Sequence, residues 1–259
     1  MKTPPITKSR LDTLVFERGL AQSRHQAQGL ILSGRVLVND TPVDKPGARI
    51  PDTAEVRIKG DEKLYVGRGG QKLAGALTHF SISVEGLVAL DVGSSTGGFS
   101  DCMLQAGAKK VYAVDVGYNQ LAHELRIDPR VTVMERTNAK DLMRDQFSEQ
   151  PNFVTADLSF IGLEKVLPSV FPVCADSCEF LLLVKPQFEL GPEDIAKGGV
   201  VRHEAKGVES VERVVEFLKS NGHEVVGWHA SVLRGYKKGN QEYFVYSKKP
   251  AAKKTALIP

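Results

Sequence analysis

The chain is poor in cysteine, with only Cys102, Cys174 and Cys178 among its 259 residues. Three thiols cannot build the framework of a disulfide-stapled secreted domain and fit a reducing compartment better. Cys174 and Cys178 stand at C-x3-C spacing without a second pair or a histidine cluster, so no metal site is expected. Long apolar runs are missing too. The longest, Phe180–Val184, is far too short to cross a bilayer. The opening Met-Lys-Thr-Pro-Pro has no apolar h-region, so no secretory signal, no membrane contact and a cytoplasmic protein are expected. Charge of one sign is scarce overall, at a formal net +3. It is unevenly spread, however. Residues 1–72 carry 13 Lys/Arg against 8 Asp/Glu, and the rest 21 against 23. A basic surplus confined to one end suits an appended nucleic-acid-binding module.

What is present begins with "ALDVGSSTGGFSDCMLQAGAKKVYAVDVG", Ala89–Gly117. It reads as strand, glycine-rich turn, helix, strand. The run Leu87–Leu90 is continuously apolar, as for a strand buried on both faces of a parallel sheet. Phe99, Met103 and Leu104 recur at helical spacing before Gly107, and Val111–Val114 lead to Asp115. Such a unit binds nucleotide-like cofactors at the carboxyl ends of its strands. A dinucleotide would require G-x-G-x-x-G, with a pyrophosphate over the helix N-terminus. Here the turn is D-V-G-S-S-T-G-G, and Asp91 would oppose a phosphate. S-adenosylmethionine, cationic and phosphate-free, fits better. Asp91 is then expected to complement its positive end and Asp115 to accept from its ribose hydroxyls. Gly93, Ser94, Thr96, Gly97, Gly98 and Phe99, with Val116 beside Asp115, are expected around it.

Upstream, Ser9 is expected to cap a helix running to Gly19. Ser23 with Gln26 forms a capping box for a second helix, which buries Ala27, Leu30 and Ile31 and stops at Gly34. Val36 and Val38 alternate inward toward an Asn39-Asp40 turn, and "AEVRIKG" supplies another strand. Arg10, Arg18, Arg24, His25, Arg35 and Lys45 decorate this small module, and Arg68 follows it. Phosphate contacts are their expected role. Further on, a helix is expected over Leu73–His79. Strands end at Asp157 and Lys185, a helix in "ERVVEFLKSNG" is capped at Gly222, and a last strand carries Glu242.

Lys72, Asp157, Lys185 and Glu242 around one cofactor suit methylation of a ribose 2′-hydroxyl, a poor nucleophile until its proton is removed or its anion stabilised. An amino-group methylase would favour Asn/Asp-Pro-Pro-Tyr/Phe where this chain has Asp157-Leu-Ser-Phe160. A cytosine-C5 enzyme needs a cysteine after proline, and none of the three follows one.

The stretches "SRLD", "GRGGQKL", "LDVGSSTGGFSD", "VYAVDVG", "ERTNA", "ADLSFI", "LLVKPQFE", "KGGVVR" and "GNQEYF" resemble the hemolysin A (TlyA-type) family from Lys8 to about Ser247. The resemblance implies an α/β chain with two parts. A small N-terminal α+β S4 RNA-binding domain (1–60) and a linker (61–67) precede a Rossmann-like, FtsJ-like methyltransferase domain (68–247), and a basic tail expected to be disordered (248–259) ends it. It also implies S-adenosylmethionine as cofactor, ribosomal RNA or ribosomal subunits as partner, and 2′-O-methylation of cytidine by a tetrad falling on Lys72, Asp157, Lys185 and Glu242. Asn138 would lie near the adenine. One departure is Gly67, where the family pattern has serine. The family name raises a membrane-active hemolysin as a rival reading, and a non-catalytic RNA-binding factor for ribosome assembly is a third.

Overall fold

The computed structural model describes residues 7–21, 23–39, 41–59, 64–235 and 239–251, and the chain divides into two compact units, Met1–Leu64 and Tyr65–Pro259. In the first, β1 (Lys8–Arg10) precedes α1 (Leu11–Glu17), and α2 spans Arg24–Leu32. The strands β2 (Val36–Val38), β3 (Thr41–Pro42), β4 (Arg49–Pro51) and β5 (Val56–Ile58) follow. The Ser9 cap does not form. Ser9 pairs with Ile50 inside the antiparallel β1–β4 ladder, and Arg10 occupies the N-cap position. The second helix starts as expected, with Ser23 Oγ accepting from the Gln26 amide at 3.1 Å. Strand β2 lies between β3 and β5, and Asn39 adopts φ +47° in the turn, whose other residue, Asp40, lies outside the described residues. Leu11, Val15, Ala27, Ile31, Val36 and Val56 close the core, while Leu30 is only partly buried.

The second unit is built on α3 (Arg68–Phe80), β6 (Val88–Val92), α4 (Gly98–Gln105), β7 (Lys110–Val114), α5 (His123–Arg126) and β8 (Val131–Met134). Next come β9 (Phe153–Ala156), α6 (Leu167–Val170), β10 (Cys178–Val184) and α7 (Pro186–Glu189). The hairpin β11–β12 (Ile195–Ala196 and Val200–Val201), α8 (Glu204–Ser220), β13 (Glu224–Ala230) and β14 (Tyr243–Lys249) complete it. Its seven-stranded sheet has the order β13-β14-β10-β9-β6-β7-β8. The strands from β10 to β8 are parallel, and β14 is antiparallel to both neighbours. The order reverses between β6 and β9, which makes that crevice the ligand-binding place of an open α/β sheet.

Alternation along β6 sends Val88, Leu90 and Val92 into one core and Ala89 into the other, with α3 and α4. Helix α3 starts five residues before the expected Leu73 because Gly69 and Gly70 belong to it. A Cβ on Gly98 of α4 would lie 3.0 Å from the Gly70 amide, so these glycines let the two helix starts touch. Helix α8 likewise begins eight residues before Glu212. Strand β14 runs to Lys249, into the segment expected to be disordered, and residues 252–259 lie outside the described residues.

Candidate active site

Val92, Val114 and Ala156 are level in the sheet, so the next residues, Gly93, Asp115 and Asp157, emerge together at its carboxyl edge. Above them opens a cavity of about 440 Å³ lined by Gly93, Ser95, Asp115, Val116, Thr137, Asn138 and Asp157, among others. Among the described residues, two carboxylates and no basic side chain line it, which fits a cationic, phosphate-free ligand. Asp115 is already oriented. Oδ2 accepts from the Ser95 amide at 2.8 Å and Oδ1 from the Gly117 amide at 2.7 Å, leaving each oxygen a further acceptor site. Asn138 Oδ1 accepts from the Lys140 amide at 3.1 Å. Gly93 has φ +82°, and a Cβ there would sit 2.7 Å from the Asp157 carbonyl oxygen, so only glycine lets β6 and β9 release their chains so closely.

Asp91 does not stand at this edge. Strand β6 continues to Val92, and alternation turns Asp91 inward beneath α4, fully buried. There Ser100 Oγ donates to Oδ2 at 2.6 Å and Thr155 Oγ1 to Oδ1 at 3.1 Å. Burial pushes this carboxyl up to about 7 against the pull of the two hydroxyls. Asp91 therefore ties β6 to α4 and β9 and lines neither cavity of the site, contrary to the expected direct contact. Gly97 lines neither as well. It supplies the φ +96° that opens α4, packed under Leu125. A second cavity, about 220 Å³, shares Gly93, Ser95, Asp157 and Ser159 with the first and adds Gly69, Ser94, Thr96, Gly98, Phe99 and Lys185.

The four candidate catalytic residues form two ion pairs. Lys72 Nζ lies 2.5 Å from Glu242 Oε2 and both side chains are buried. Lys185 Nζ lies 2.5 Å from Asp157 Oδ1. That second approach is ionic and off-angle, leaving Oδ1 without a directed hydrogen bond. The directed bond of the ammonium goes to Ser159 Oγ at 3.1 Å. The pairs meet through the sheet. Val184 opposes Tyr243 across β10 and β14, which sets Lys185 beside Glu242, while Asp157 leaves the neighbouring β9. Lys72, one turn along α3 from Gly69, completes the set from above.

The FtsJ-like methyltransferase family model matches residues 65–249, and the S4 domain model matches residues 9–56. The chain belongs to the FtsJ-like methyltransferase family. It is 44% identical over 240 residues to the "Putative rRNA methyltransferase YqxC" of Bacillus subtilis, covering 92% of this chain and 85% of that one. It is 43% identical over 240 residues to the 16S/23S rRNA (cytidine-2'-O)-methyltransferase TlyA of Mycobacterium tuberculosis, covering 92% and 89%. A solved structure, "Putative hemolysin from Streptococcus thermophilus", superimposes with a TM-score of 0.72 at 41% identity, covering 96% of this chain and 90% of that one. No helix among the described residues of this FtsJ-like protein is long and apolar enough to cross a membrane.

The cations expected to hold RNA divide into two groups. Arg10 clasps the buried Asp12 (Nε–Oδ1 3.0 Å, Nη2–Oδ2 2.8 Å), and Gln28 from α2 donates to the same carboxylate at 3.0 Å. The Arg10 fork holds the Asp12 carboxyl far below its ordinary range. Arg18 donates to the carbonyls of Ala54 and Asp52 at 2.8 and 2.7 Å. Both arginines thus brace the fold. Arg10 and Arg18 nevertheless stay exposed, as do Arg24, 3.5 Å from Asp12, His25, Lys45 and Arg68, whereas Arg35 is half-buried.

Sequence reasoning missed Ser100 and Thr155 as the partners of Asp91, and Ser159 as the partner of Lys185. It missed Phe160 as well, which is 92% exposed at φ +67° on the rim of the first cavity, its ring 5.4 Å from that of Phe188. The signal was present in "ADLSF", where a serine and an aromatic follow the strand-ending acid.

Proposed function

We propose that the chain transfers a methyl group from S-adenosylmethionine to the ribose 2′-oxygen of a cytidine in ribosomal RNA, in the cytoplasm, with the N-terminal unit holding RNA. The observation that carries this reading is a cavity lined, among the described residues, by carboxylates and no cation, sharing a wall with the Lys185–Asp157 pair. When bound, S-adenosylmethionine supplies an electrophilic methyl group on a sulfonium. Asp115 would accept from its ribose hydroxyls, Asn138 would lie near its adenine, and Gly93, Ser94, Thr96, Gly98, Phe99 and Val116 would enclose the rest.

Lys185 then faces the RNA hydroxyl and stabilises negative charge as it grows on the 2′-oxygen, with the proton leaving toward Asp157 and water. Asp157 and Ser159 hold that ammonium in place, and the buried Lys72–Glu242 pair positions the ribose. Holding nucleophile and methyl group in line supplies much of the acceleration. The names of the mycobacterial and Bacillus relatives support the substrate assignment. Mapping ribose methylation on ribosomal RNA exposed to the purified protein and the cofactor tests it. One or more new 2′-O-methylcytidines are expected, and RNA left unmodified, or methylated only on a base, refutes the reading. A membrane-lytic protein would not retain S-adenosylmethionine in a titration.

A further inference from the structure

Resting on that reading of the site, we propose that Asn240 is a positioning residue that fixes the separation of Lys185 and Glu242. Asn240 stands two residues before Glu242, and its amide spans three parts of the chain. Oδ1 accepts from the Val201 amide of β12 at 2.8 Å. Nδ2 donates to the Gly199 carbonyl at 2.8 Å and to Gln187 Oε1 at 3.0 Å. A backbone donor on one side and a backbone acceptor on the other fix which amide atom is oxygen and which nitrogen. Gln187 lies two residues after Lys185, so one side chain joins the exit of β10 to the entry of β14. The main-chain carbonyl of Asn240 accepts from the Gly235 amide at 3.1 Å, anchoring the residue from behind.

The arrangement needs a tie of this kind. Beyond the Val184–Tyr243 pair the β10–β14 ladder ends, and the Glu242 carbonyl accepts from the Ser231 amide on the other side at 2.8 Å, so the pairing that brings Lys185 beside Glu242 does not itself bond the two residues. The space next to them is not filled by packing. A cavity of about 280 Å³ lies between Pro186, Val200, Gly207, Asn240 and Tyr243, under the hairpin β11–β12. That hairpin turns through two glycines in the left-handed region, Gly198 at φ +92° and Gly199 at φ +80°, and has two residue pairs in its ladder. Asn240 pins it on both sides of the turn's exit, at Gly199 and Val201. Without those bonds the hairpin, α7 and the Glu242 segment lose their common anchor, while Asp115 and the cofactor cavity touch none of it.

The experiment compares the full-length parental chain with Asn240→Ala and Asn240→Asp. The aspartate is nearly isosteric and still accepts from Val201, but it cannot donate to the Gly199 carbonyl. Single-turnover methylation of ribosomal RNA is expected to slow about 10–100-fold in both variants, because an error of order 1 Å in placing reacting groups costs about 10²-fold. The dissociation constant for S-adenosylmethionine and the KM for RNA are expected to stay within about twofold of parental, a split that general loosening of the fold would not produce. Hydrogen exchange is expected to quicken in residues 195–201 and to stay slow in β6, β9 and β10. Methylation at the parental rate in both variants overturns the proposal. So does a loss of rate matched by an equal loss of cofactor affinity. A parental chain that methylates no RNA overturns the functional reading itself, and the role of Asn240 falls with it.

Discussion

Asp91 and Asp115 each fall in an apolar strand segment of the same βαβ unit, yet their surroundings give them opposite tasks. Asp115 leaves β7 at the carboxyl edge and faces the cavity. Asp115→Ala is expected to weaken S-adenosylmethionine binding by about 1.5–3 kcal/mol, the usual loss for hydrogen bonds to a charged acceptor. Calorimetric titration checks this, and unchanged affinity counts against the ribose assignment. Asp91→Ala leaves the Ser100 and Thr155 hydroxyls buried without their acceptor, so its main effect is expected on stability, about 1–3 kcal/mol in urea unfolding. Sequence alone could not separate the two, because one more residue of strand after Asp91 decides which way its side chain points. Lys185→Ala is expected to slow methyl transfer by about 10²–10⁴ while leaving the cofactor bound. Asp157→Ala should match it, and the double variant should be little worse, since paired groups act as one unit. Single-turnover rates of the three variants decide this, and a fast Lys185→Ala removes Lys185 from the chemistry.

At the scale of elements, the strands that are buried on both faces could be read directly. β6, β7, β9 and β10 are built on short apolar runs, interrupted only by Asp91, Lys110, Thr155 and Glu179, and each ends beside a residue of the site. The β11–β12 hairpin could not be read, because two-residue strands carry no periodicity. The first turn of α3 was hidden by glycines whose purpose is contact with α4, outside the local sequence. The short helix α7 shows what such a hidden element does. Its last residue, Glu189, reaches back so that Leu163 N donates to Oε1 at 3.0 Å, closing the loop that carries Ser159 and Phe160. Burial pushes the Glu189 carboxyl up to about 7. Glu164 adds to the rise, and the Leu163 amide, Arg213 and Lys165 oppose it. A folded value above the ordinary 4.5 means that the native state holds the proton more tightly than the unfolded chain. This contribution to stability is full below about pH 4.5 and is lost as pH rises through about 7. Glu189→Gln keeps an acceptor for Leu163 and does not titrate. Its urea midpoint relative to the parental chain is therefore expected to improve steadily from about pH 5 to about pH 8. A difference that stays flat with pH would show that Glu189 is ionised throughout.

For the molecule as a whole, the asymmetry of charge along the sequence separates two units with different work. The legible part was that a basic, helical start precedes an α/β cofactor unit. The illegible part was which cations are available. "SRLD" hides an Arg10–Asp12 clasp, and Arg18 closes its own unit, because a guanidinium fork finds a carboxylate or carbonyl wherever the fold offers one. Among the described residues, the cores of the second unit, on both faces of the seven-stranded sheet, are built from residues from Tyr65 onward. Removing residues 1–64 is therefore expected to leave a cooperatively folding chain that binds S-adenosylmethionine with parental affinity. RNA affinity is expected to fall, and its dependence on salt to become shallower. Every phosphate that Arg24, Lys45 and their neighbours no longer neutralise takes one released counterion out of the slope of log K against log salt. Binding isotherms at several salt concentrations, for the full chain and the shortened one, measure that slope directly. If the shortened chain keeps both the affinity and the slope, the phosphate-binding surface lies on the methyltransferase unit, and the basic excess of the first unit is only a solvated face.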